Sequence, residues 1–283
     1  VGQTEAPLTV KPLIEQMTRA QLMTLMVGGF ATVAGSVLAV YLQVLAGDDQ
    51  DLRIEITMHL IAASIASAPA AFVMARILVP ESDAPPLEQA SALKVDRKAG
   101  HANVLDAAAS GATVGLKLAL NIGAMLIAFV GLIALVNWML GGLTLPFHRA
   151  SLLSADTHLS LELILGWLFA PIAWTMGVPW DEAGAVGSLL GQKIAVTELI
   201  AYTSLGDHIA ERNGAMPLSH RSVTIATFAL CGFANLPSIA IQIGGLSALA
   251  PGRRQDFATL AFRAMIGGAF ASWMTACIAG MLV

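Results

Sequence analysis

The chain of 283 residues is 56% hydrophobic and only 12% charged, with a formal net charge of −4 and a mean hydropathy of +0.73. Because an ordinary soluble domain carries about 25% charged residues, this composition excludes a typical soluble domain and predicts an integral membrane protein. The small net charge provides no basic surface for nucleic acid. Cys231 and Cys277 lack CxxC or His-rich neighbours, which argues against a disulfide framework or a zinc site.

Five segments are apolar for long enough to cross a bilayer, which takes about 20 residues. They are residues 21–46, 54–79, 112–142, 221–249 and 255–283. Residues 1–19 and 159–205 are also apolar, but they are short or interrupted, which predicts re-entrant hairpins and interfacial helices. Such segments are tolerated in a membrane only where they are buried in protein or face water.

Basic residues in the connections predict the orientation of the chain in the membrane. The connections at 11–19, 76–101 and 252–254 are assigned to the cytoplasm. They hold eight basic residues, namely Lys11, Arg19, Arg76, Lys94, Arg97, Lys98, Arg253 and Arg254. The opposite side holds four, namely Arg53, Arg149, Arg212 and Arg221. On this assignment the segments 21–46 and 221–249 run in opposite directions, as an inverted repeat requires.

A short pattern occurs twice along the chain. Residues 29–32 read Gly-Phe-Ala-Thr and residues 232–235 read Gly-Phe-Ala-Asn, and each copy follows a segment with a carboxylate, Glu5 or Glu198. Duplicated broken helices with intramembrane carboxylates are typical of transporter repeats, and the ligand site lies where the two breaks meet.

The predicted fold is an all-α polytopic membrane protein, an inverted repeat with two re-entrant helical hairpins and two discontinuous transmembrane helices. Residues 1–110 are predicted to form the first repeat unit, including the polar cytoplasmic linker at 80–100. Residues 111–158 form a scaffold span and loop, and residues 159–283 form the second repeat unit.

Glu5 and Glu198 are the candidate binding carboxylates. A charged side chain near the bilayer centre costs at least about 2.5 to 3.5 kcal/mol on insertion scales, so such a residue usually faces a polar ligand or cavity. The alternative is that each carboxylate pairs with a cation of its own, Lys11 or Lys193, or lies at the membrane interface. Because Lys193 is five residues before Glu198, it lies off the i+4 face, which favours a ligand role for Glu198.

Glycine and proline in the middle of long apolar segments release backbone groups from the helical ladder. The residues that predict unwinding are Gly28, Gly29, Gly35, Gly232 and Pro237. Close helix packing through small residues is the alternative.

Polar side chains lie beside the predicted breaks. Asn235 and Ser238 are three residues apart and can offer donors and acceptors to sugar hydroxyls. Thr32 and Ser36 are four apart, and their oxygens suit a hard monovalent cation, although interhelical hydrogen bonding is preferred for Ser36. Phe233 can supply an aromatic face. The other aromatic residues, Tyr41 among them, are predicted to be interface anchors or packing residues.

Three motifs resemble those of the concentrative nucleoside transporter family. They are Gly2-Gln3-Thr4-Glu5-Ala6-Pro7, Gly191-Gln192-Lys193-x-x-x-Thr197-Glu198-Leu199-x-Ala201-Tyr202, and Ala229-Leu230-Cys231-Gly232-Phe233-Ala234-Asn235. The resemblance runs from Val1 to Val283. It implies a homotrimeric, multi-pass secondary transporter of the bacterial inner membrane, with the nucleoside and the lipid bilayer as partners and no nucleic acid.

The resemblance also implies a set of site residues. The nucleobase would contact Gln3, Thr4 and Glu5, with Val37 lining the base pocket. The ribose would contact Glu198, Asn235 and Ser238, with Phe233 beside them. Sodium would bind the carbonyls of Val1 and Val33 and the hydroxyl of Thr32. Thr197 stands where the family has Asn, and the family's first three spans and half of its first hairpin are expected to precede this sequence.

The resulting hypothesis is nucleoside uptake by cation symport, with sodium favoured and alternating access of a hairpin-bearing transport unit. Substrate and cation would stabilise each other reciprocally. Three alternatives stay open: a proton-coupled transporter of nucleosides or another small polar solute, an inactive truncated homologue, and an intramembrane enzyme with two carboxylates as acid and base. The sequence has no HExxH, GxSxG, Walker or Rossmann motif, so an enzyme is not expected.

Overall fold

The computed structural model describes Gln3, residues 6–81, parts of 103–142, and residues 159–211 and 215–283. These residues contain helices and no strand, which confirms the predicted all-α class. Two compact units are distinguished, Val1–Pro85 with Glu162–Val283, and Pro86–Leu161. The arrangement described below is that of the first unit.

The helices described for this unit are given in chain order, with residues 79–160 lying between α4 and α5. They are α1 (Lys11–Ile14), α2 (Arg19–Ala31), α3 (Gly35–Ala46), α4 (Gln50–Leu78), α5 (Leu161–Thr175), α6 (Trp180–Ala195), α7 (Glu198–Ile209), α8 (His220–Leu230), α9 (Leu236–Leu249) and α10 (Arg254–Leu282). Short 3₁₀ turns cover Ala6–Val10 and Pro251–Arg253.

Two of the described helices are long and apolar enough to cross a membrane, Gln50–Leu78 and the helical stretch Pro251–Leu282. They confirm the predicted spans 54–79 and 255–283. The predicted span 112–142 falls mostly outside the described residues.

The other two predicted spans are broken, as the sequence indicated. Within 21–46, α2 ends at Ala31 and α3 begins at Gly35; within 221–249, α8 ends at Leu230 and α9 begins at Leu236. With 13, 12, 11 and 14 residues, each of these helices is shorter than the roughly 20 residues that a bilayer crossing needs. Residues 32–34 and 231–235 are named here the first and second break.

The first half of each broken helix begins with a hydroxyl cap. Thr18 accepts a hydrogen bond from the backbone N–H of Gln21, whose side chain bonds back to Thr18, so α2 begins with a capping box. Ser219 caps α8 by accepting from the N–H of Ser222, and it also donates to Glu182 at 2.8 Å. These caps set where each broken helix starts.

Three shorter helices precede α8. The axes of Leu163–Thr175 and Trp180–Ala195 bend by 117° at a break of a few residues. Only Val196 and Thr197 then separate α6 from α7, and these two helices pack against each other. At 16 and 12 residues, α6 and α7 are each too short to cross a bilayer alone.

Helix α10 lies at the centre of this unit and packs against α2, α4, α8 and α9. Small residues on α10 permit the close approach: a Cβ added at Gly267 would lie 2.9 Å from the side chain of Val27, and one at Gly268 would overlap Phe30. Small residues at helix interfaces are the usual means of close packing in membranes. The two broken helices are thereby held on one common helix.

Candidate functional site

Glu198 is the first residue of α7, directly after the short connection Val196–Thr197. Thr197 is extended, with φ −156° and ψ 157°, and its hydroxyl accepts from the backbone N–H of Ile200, so it caps α7. Thr197 therefore supplies a favourable N-cap for α7. The Glu198 carboxylate sits in the first turn of α7, where the helix dipole favours negative charge.

Glu198 is 5% exposed and is held by two side chains from other helices. Its Oε1 accepts from the Tyr41 hydroxyl at 3.0 Å, and its Oε2 accepts from Asn235 Nδ2 at 2.9 Å. Glu198 thus joins α7, α3 and the second break at one point. Hydrogen bonds to an ionised group are among the stronger contacts in proteins.

Asn235 has a structural role as well as its bond to Glu198. It is the N-cap of α9, since its Oδ1 accepts from the Ser238 backbone N–H at 2.8 Å. Asn235 and Ser238 are both buried. The structure therefore brings Glu198, Asn235 and Ser238 together, as the sequence expected.

Tyr41 packs in the core, which was one of its two predicted roles, but its bond to Glu198 was not anticipated. The side chain is fully buried, its hydroxyl bonds to Glu198, and its ring stacks on Tyr202 with centroids 4.5 Å apart. The Tyr202 hydroxyl donates to the carbonyl of Thr227 at 2.9 Å. A tyrosine inside an apolar helix needs a hydrogen-bond partner for its hydroxyl, and this need is the sequence feature that could have pointed to a role for Tyr41 in the site.

The two breaks meet at Gly232. Its φ is +102°, a region that disfavours side chains, and an added Cβ would lie 2.6 Å from the carbonyl oxygen of Ala31 and 2.8 Å from that of Phe30. The carboxyl end of α2 is therefore in direct contact with the second break. This contact confirms that the two interruptions lie together.

The predicted positions of unwinding need correction at four residues. Gly28 and Gly29 lie inside the last turns of α2, Gly35 begins α3, and Pro237 is in the first turn of α9. The helix geometry is therefore lost three residues later than the glycine pair suggested. Pro237 suits a first turn, where its missing N–H is not needed.

Gly29 instead allows two glutamines to approach α2. A Cβ there would lie 2.6 Å from Gln242 Nε2 and 3.3 Å from the Cβ of Gln3. Gln242 Nε2 donates to the Met26 carbonyl at 2.9 Å. Gln3 is 8% exposed and Gln242 is 1% exposed, and among the described residues the Oε1 atoms of both have no hydrogen-bond partner. Sequence reasoning missed Gln242 because nothing local distinguishes it.

Thr32 ends α2 and its hydroxyl donates to the carbonyl of Gly28 at 2.8 Å. Val33 is buried in the first break, while Val37 and Phe233 are partly buried and pack against the core. The backbone of Ser36 lies in α3, and its side chain is outside the description. The predictions at three further residues also lie outside the described part of the chain, namely Val1, Thr4 and Glu5.

Lys193 is fully buried on α6 and does not serve as the bonded counter-ion of Glu198. Its Nζ donates to the carbonyls of Ala229 at 2.9 Å and Cys231 at 3.1 Å. The alternative in which a Lys193–Glu198 ion pair explains the carboxylate is therefore wrong. The ammonium instead bonds to the carboxyl end of α8.

Residues 59–280 match the family described as "Na+ dependent nucleoside transporter C-terminus". The chain belongs to this family. It is 46% identical to the "Uncharacterized transporter YutK" of Bacillus subtilis, covering all of this chain and 64% of that protein. It is 39% identical to "Nucleoside permease NupC" of Helicobacter pylori, of which it covers 62%, and 41% identical to "Solute carrier family 28 member 3" of the mouse, of which it covers 39%.

Solved structures of the protein CNTnw have the same fold. The inward-facing substrate-bound state is 45% identical with a TM-score of 0.83, over 99% of this chain and 61% of that one. An outward-facing state of a substituted CNTnw gives a TM-score of 0.84 at 44% identity, over 99% of this chain and 62% of that one. The chain spans less than two thirds of these relatives. The names of the curated relatives are those of transporters and permeases.

Proposed function

We propose that the full-length protein takes up nucleosides by cation symport, with sodium as the favoured coupling ion. The observation that carries this proposal is Glu198, a buried carboxylate held by Tyr41 and Asn235 where two broken helices meet. A carboxylate oxygen accepts more than one hydrogen bond, so ribose hydroxyls can donate to it as well. An intramembrane carboxylate of this kind is a functional site by default.

The ribose half of the site consists of Glu198, Asn235 and Ser238, with Phe233 beside them. The base half consists of Gln3, Thr4 and Glu5, with Val37 lining the pocket. The buried Gln3 Oε1 supports this assignment, because no described residue donates to it and a nucleobase N–H can do so. The CNTnw state named as substrate-bound has the same fold over 99% of this chain.

The cation would bind at the first break, to the Val1 and Val33 carbonyls and the Thr32 hydroxyl. Since the Thr32 hydroxyl gives its proton to Gly28, its oxygen lone pairs are oriented away from that bond and are free to coordinate a cation. The first and last residues of this break are extended, with Thr32 at φ −100° and ψ 156° and Ala34 at φ −75° and ψ 134°. Carbonyl and hydroxyl oxygens are suitable donors for a hard cation. "Sodium/nucleoside cotransporter 1" of the rat is 36% identical to this chain.

The transport cycle would be alternating access of a hairpin-bearing unit in a homotrimer of the bacterial inner membrane. The packed, short helices α6 and α7 are suited to be the two arms of the second re-entrant hairpin. The two breaks support an inverted repeat, and CNTnw has been solved in inward-facing and outward-facing states. The units 1–110, 111–158 and 159–283 remain a prediction.

The test is uptake of radiolabelled uridine by the full-length protein in proteoliposomes, with and without a sodium gradient. Sodium should drive uptake, and Glu198→Gln should reduce it by roughly tenfold or more, because a charged acceptor is replaced by a neutral amide. Glu182→Gln is the matched control, since Glu182 bonds to Ser219 at an exposed position. Unchanged uptake in the Glu198 variant would contradict the proposal.

Proton coupling is the second candidate, and one observation favours it. Within the described residues, no Lys, Arg or His side chain forms an ion pair with Glu198. A carboxylate without a bonded cation can carry a proton through the cycle. This alternative would be established if a pH step drove uridine uptake in the absence of sodium and if Glu198→Gln abolished that uptake.

A further inference from the structure

The carboxyl end of α8 is held by side chains and not by further helix. A helix that stops leaves its last carbonyls without backbone partners. Here Lys193 Nζ donates to Ala229 and Cys231, Tyr202 donates to Thr227, and Ser272 Oγ also donates to Cys231 at 2.6 Å. Of these donors only Lys193 is charged, and it bonds on both sides of the point where the helix ends.

The repeated Gly-Phe-Ala pattern identifies the matching carbonyls of the first copy, which lie in the last turns of α2 just before the first break. Aligning residues 29–31 with 232–234 pairs Met26 with Ala229 and Gly28 with Cys231. The Met26 carbonyl accepts from Gln242 Nε2 at 2.9 Å, and the Gly28 carbonyl accepts from the Thr32 hydroxyl at 2.8 Å. The same two carbonyls are therefore bonded by neutral groups in one copy and by one ammonium in the other.

A single ammonium bonded to two carbonyls resembles a bound monovalent cation in its charge and in the type of its ligands. It lies at the negative end of the α8 dipole, where a positive charge is favoured. Glu198, five residues further along the chain, lies in the same half of the site, where it is bonded to Tyr41 and Asn235 and not to the ammonium. The position is fully buried, so water does not compete for these bonds.

We propose that Lys193 is a tethered cation that positions the second break, so that the half of the site containing Glu198 and Asn235 is assembled without a solute ion. The inference rests on the proposed function and extends it. The coupling cation is then required only at the first break. Lys193 does not contact the nucleoside itself, and it acts through the backbone that leads to Asn235.

The decisive variant is Lys193→Gln in the full-length protein, because the glutamine amide keeps N–H donors in the same place on α6 but carries no charge and is one bond shorter than lysine. We expect the affinity for uridine, measured by equilibrium binding at saturating sodium, to fall by roughly tenfold or more. The control variant is Gln242→Met, which removes the neutral donor to the Met26 carbonyl without adding a charge. It should lower affinity less at saturating sodium than Lys193→Gln does.

Chemical rescue separates charge from packing. In Lys193→Ala the lost volume can admit ethylammonium, which should restore at least part of the uridine affinity, while tetramethylammonium, which has no N–H, should not. In Lys193→Met the side chain fills the space and ethylammonium should have no effect.

The outcomes distinguish this inference from the proposed function. If the wild-type protein neither binds nor transports uridine, the proposed function fails. If the wild type is active and Lys193→Gln binds uridine as tightly, only the tethered-cation inference is overturned. A Lys193→Gln protein that does not fold would also overturn it, because Lys193 would then be a determinant of folding and not of the ligand site.

Discussion

The first and second breaks share the Gly-Phe-Ala pattern but differ in how their polar groups are satisfied. At the second break, Lys193, Ser272 and Asn235 bond to the backbone that leaves α8 and enters α9. At the first break the described bonds are fewer and neutral, and the Oε1 atoms of Gln3 and Gln242 are buried without a described partner. Among the described residues, the polar groups at the second break are bonded by charged and neutral side chains, whereas two buried acceptors beside α2 have no described partner.

This difference gives the two halves different expected roles. Buried polar atoms normally have partners, so unsatisfied acceptors indicate where a solute or ion binds. We therefore expect substrate and cation to order the first break and to find the second break already formed. The following predictions test that contrast, beginning with the largest effect.

Gly232→Ala should have the largest effect on stability, lowering the free energy of unfolding by about 3 kcal/mol or more. The added Cβ would meet the Ala31 carbonyl at 2.6 Å in a backbone conformation with φ +102°. Thermal unfolding in detergent measures this change. Gly28→Ala is the matched control, since a Cβ there meets nothing within 4 Å and should be neutral or stabilising by up to about 1 kcal/mol. Equal effects of the two substitutions would disprove the contact between the breaks.

Asn235→Ala should lower the free energy of unfolding by about 2 kcal/mol, because it removes the cap of α9 and one of the two described donors to Glu198. Thr32→Val, at the matching position of the first break, removes the hydroxyl that donates to Gly28 and should lower the free energy of unfolding by about 1 kcal/mol. Uridine binding at high and low sodium separates their roles. Asn235→Ala should weaken binding equally at both concentrations, and Thr32→Val should weaken it more at low sodium. The reverse pattern would refute the division between the halves.

Tyr41→Phe should weaken uridine binding by about fivefold, equivalent to about 1 kcal/mol, because Glu198 loses its Oε1 donor while the ring stack with Tyr202 is kept. Tyr202→Phe removes a hydroxyl bond to Thr227 and leaves Glu198 untouched. This substitution should lower the free energy of unfolding but leave the effect of Glu198→Gln on uridine binding unchanged. In a double-mutant cycle, Tyr41→Phe should be coupled to Glu198→Gln and Tyr202→Phe should not.

The smallest effects are expected at the starts of the broken helices. Thr18→Ala and Ser219→Ala each remove a hydroxyl cap and should lower the free energy of unfolding by about 1 kcal/mol. Both positions are far from the breaks in sequence, so uridine affinity should stay unchanged. A loss of affinity in only one of them would show that this helix start is coupled to the site.

Parts of the site could be read from sequence because they depend on local chemistry. A Gly-Phe-Ala pattern followed by a polar cap residue indicates a helix that stops and starts again, and both breaks occur within a few residues of it. A carboxylate in an apolar segment indicates a polar neighbourhood, and Glu198 has one. The exact ends were misplaced at Gly28 and Gly29 because helix termination depends on what replaces the lost backbone bonds.

Other residues could not be assigned without the fold. Tyr41 is 157 positions from Glu198, and Gln242 is 216 positions from Met26. Lys193 has a nearby carboxylate in sequence, yet it bonds to carbonyls 36 and 38 residues away. In each case the partner is on another helix, and sequence spacing carries no information about which helices are adjacent.

The sequence by itself determined that this is a helical membrane protein with two interrupted spans and a buried carboxylate, because hydropathy, Gly and Pro act within one turn of the chain. Only the tertiary structure decided which donors satisfy that carboxylate and the freed carbonyls. The physical reason is that a buried polar group takes whichever partner the packing of α10 with its neighbours brings within about 3 Å.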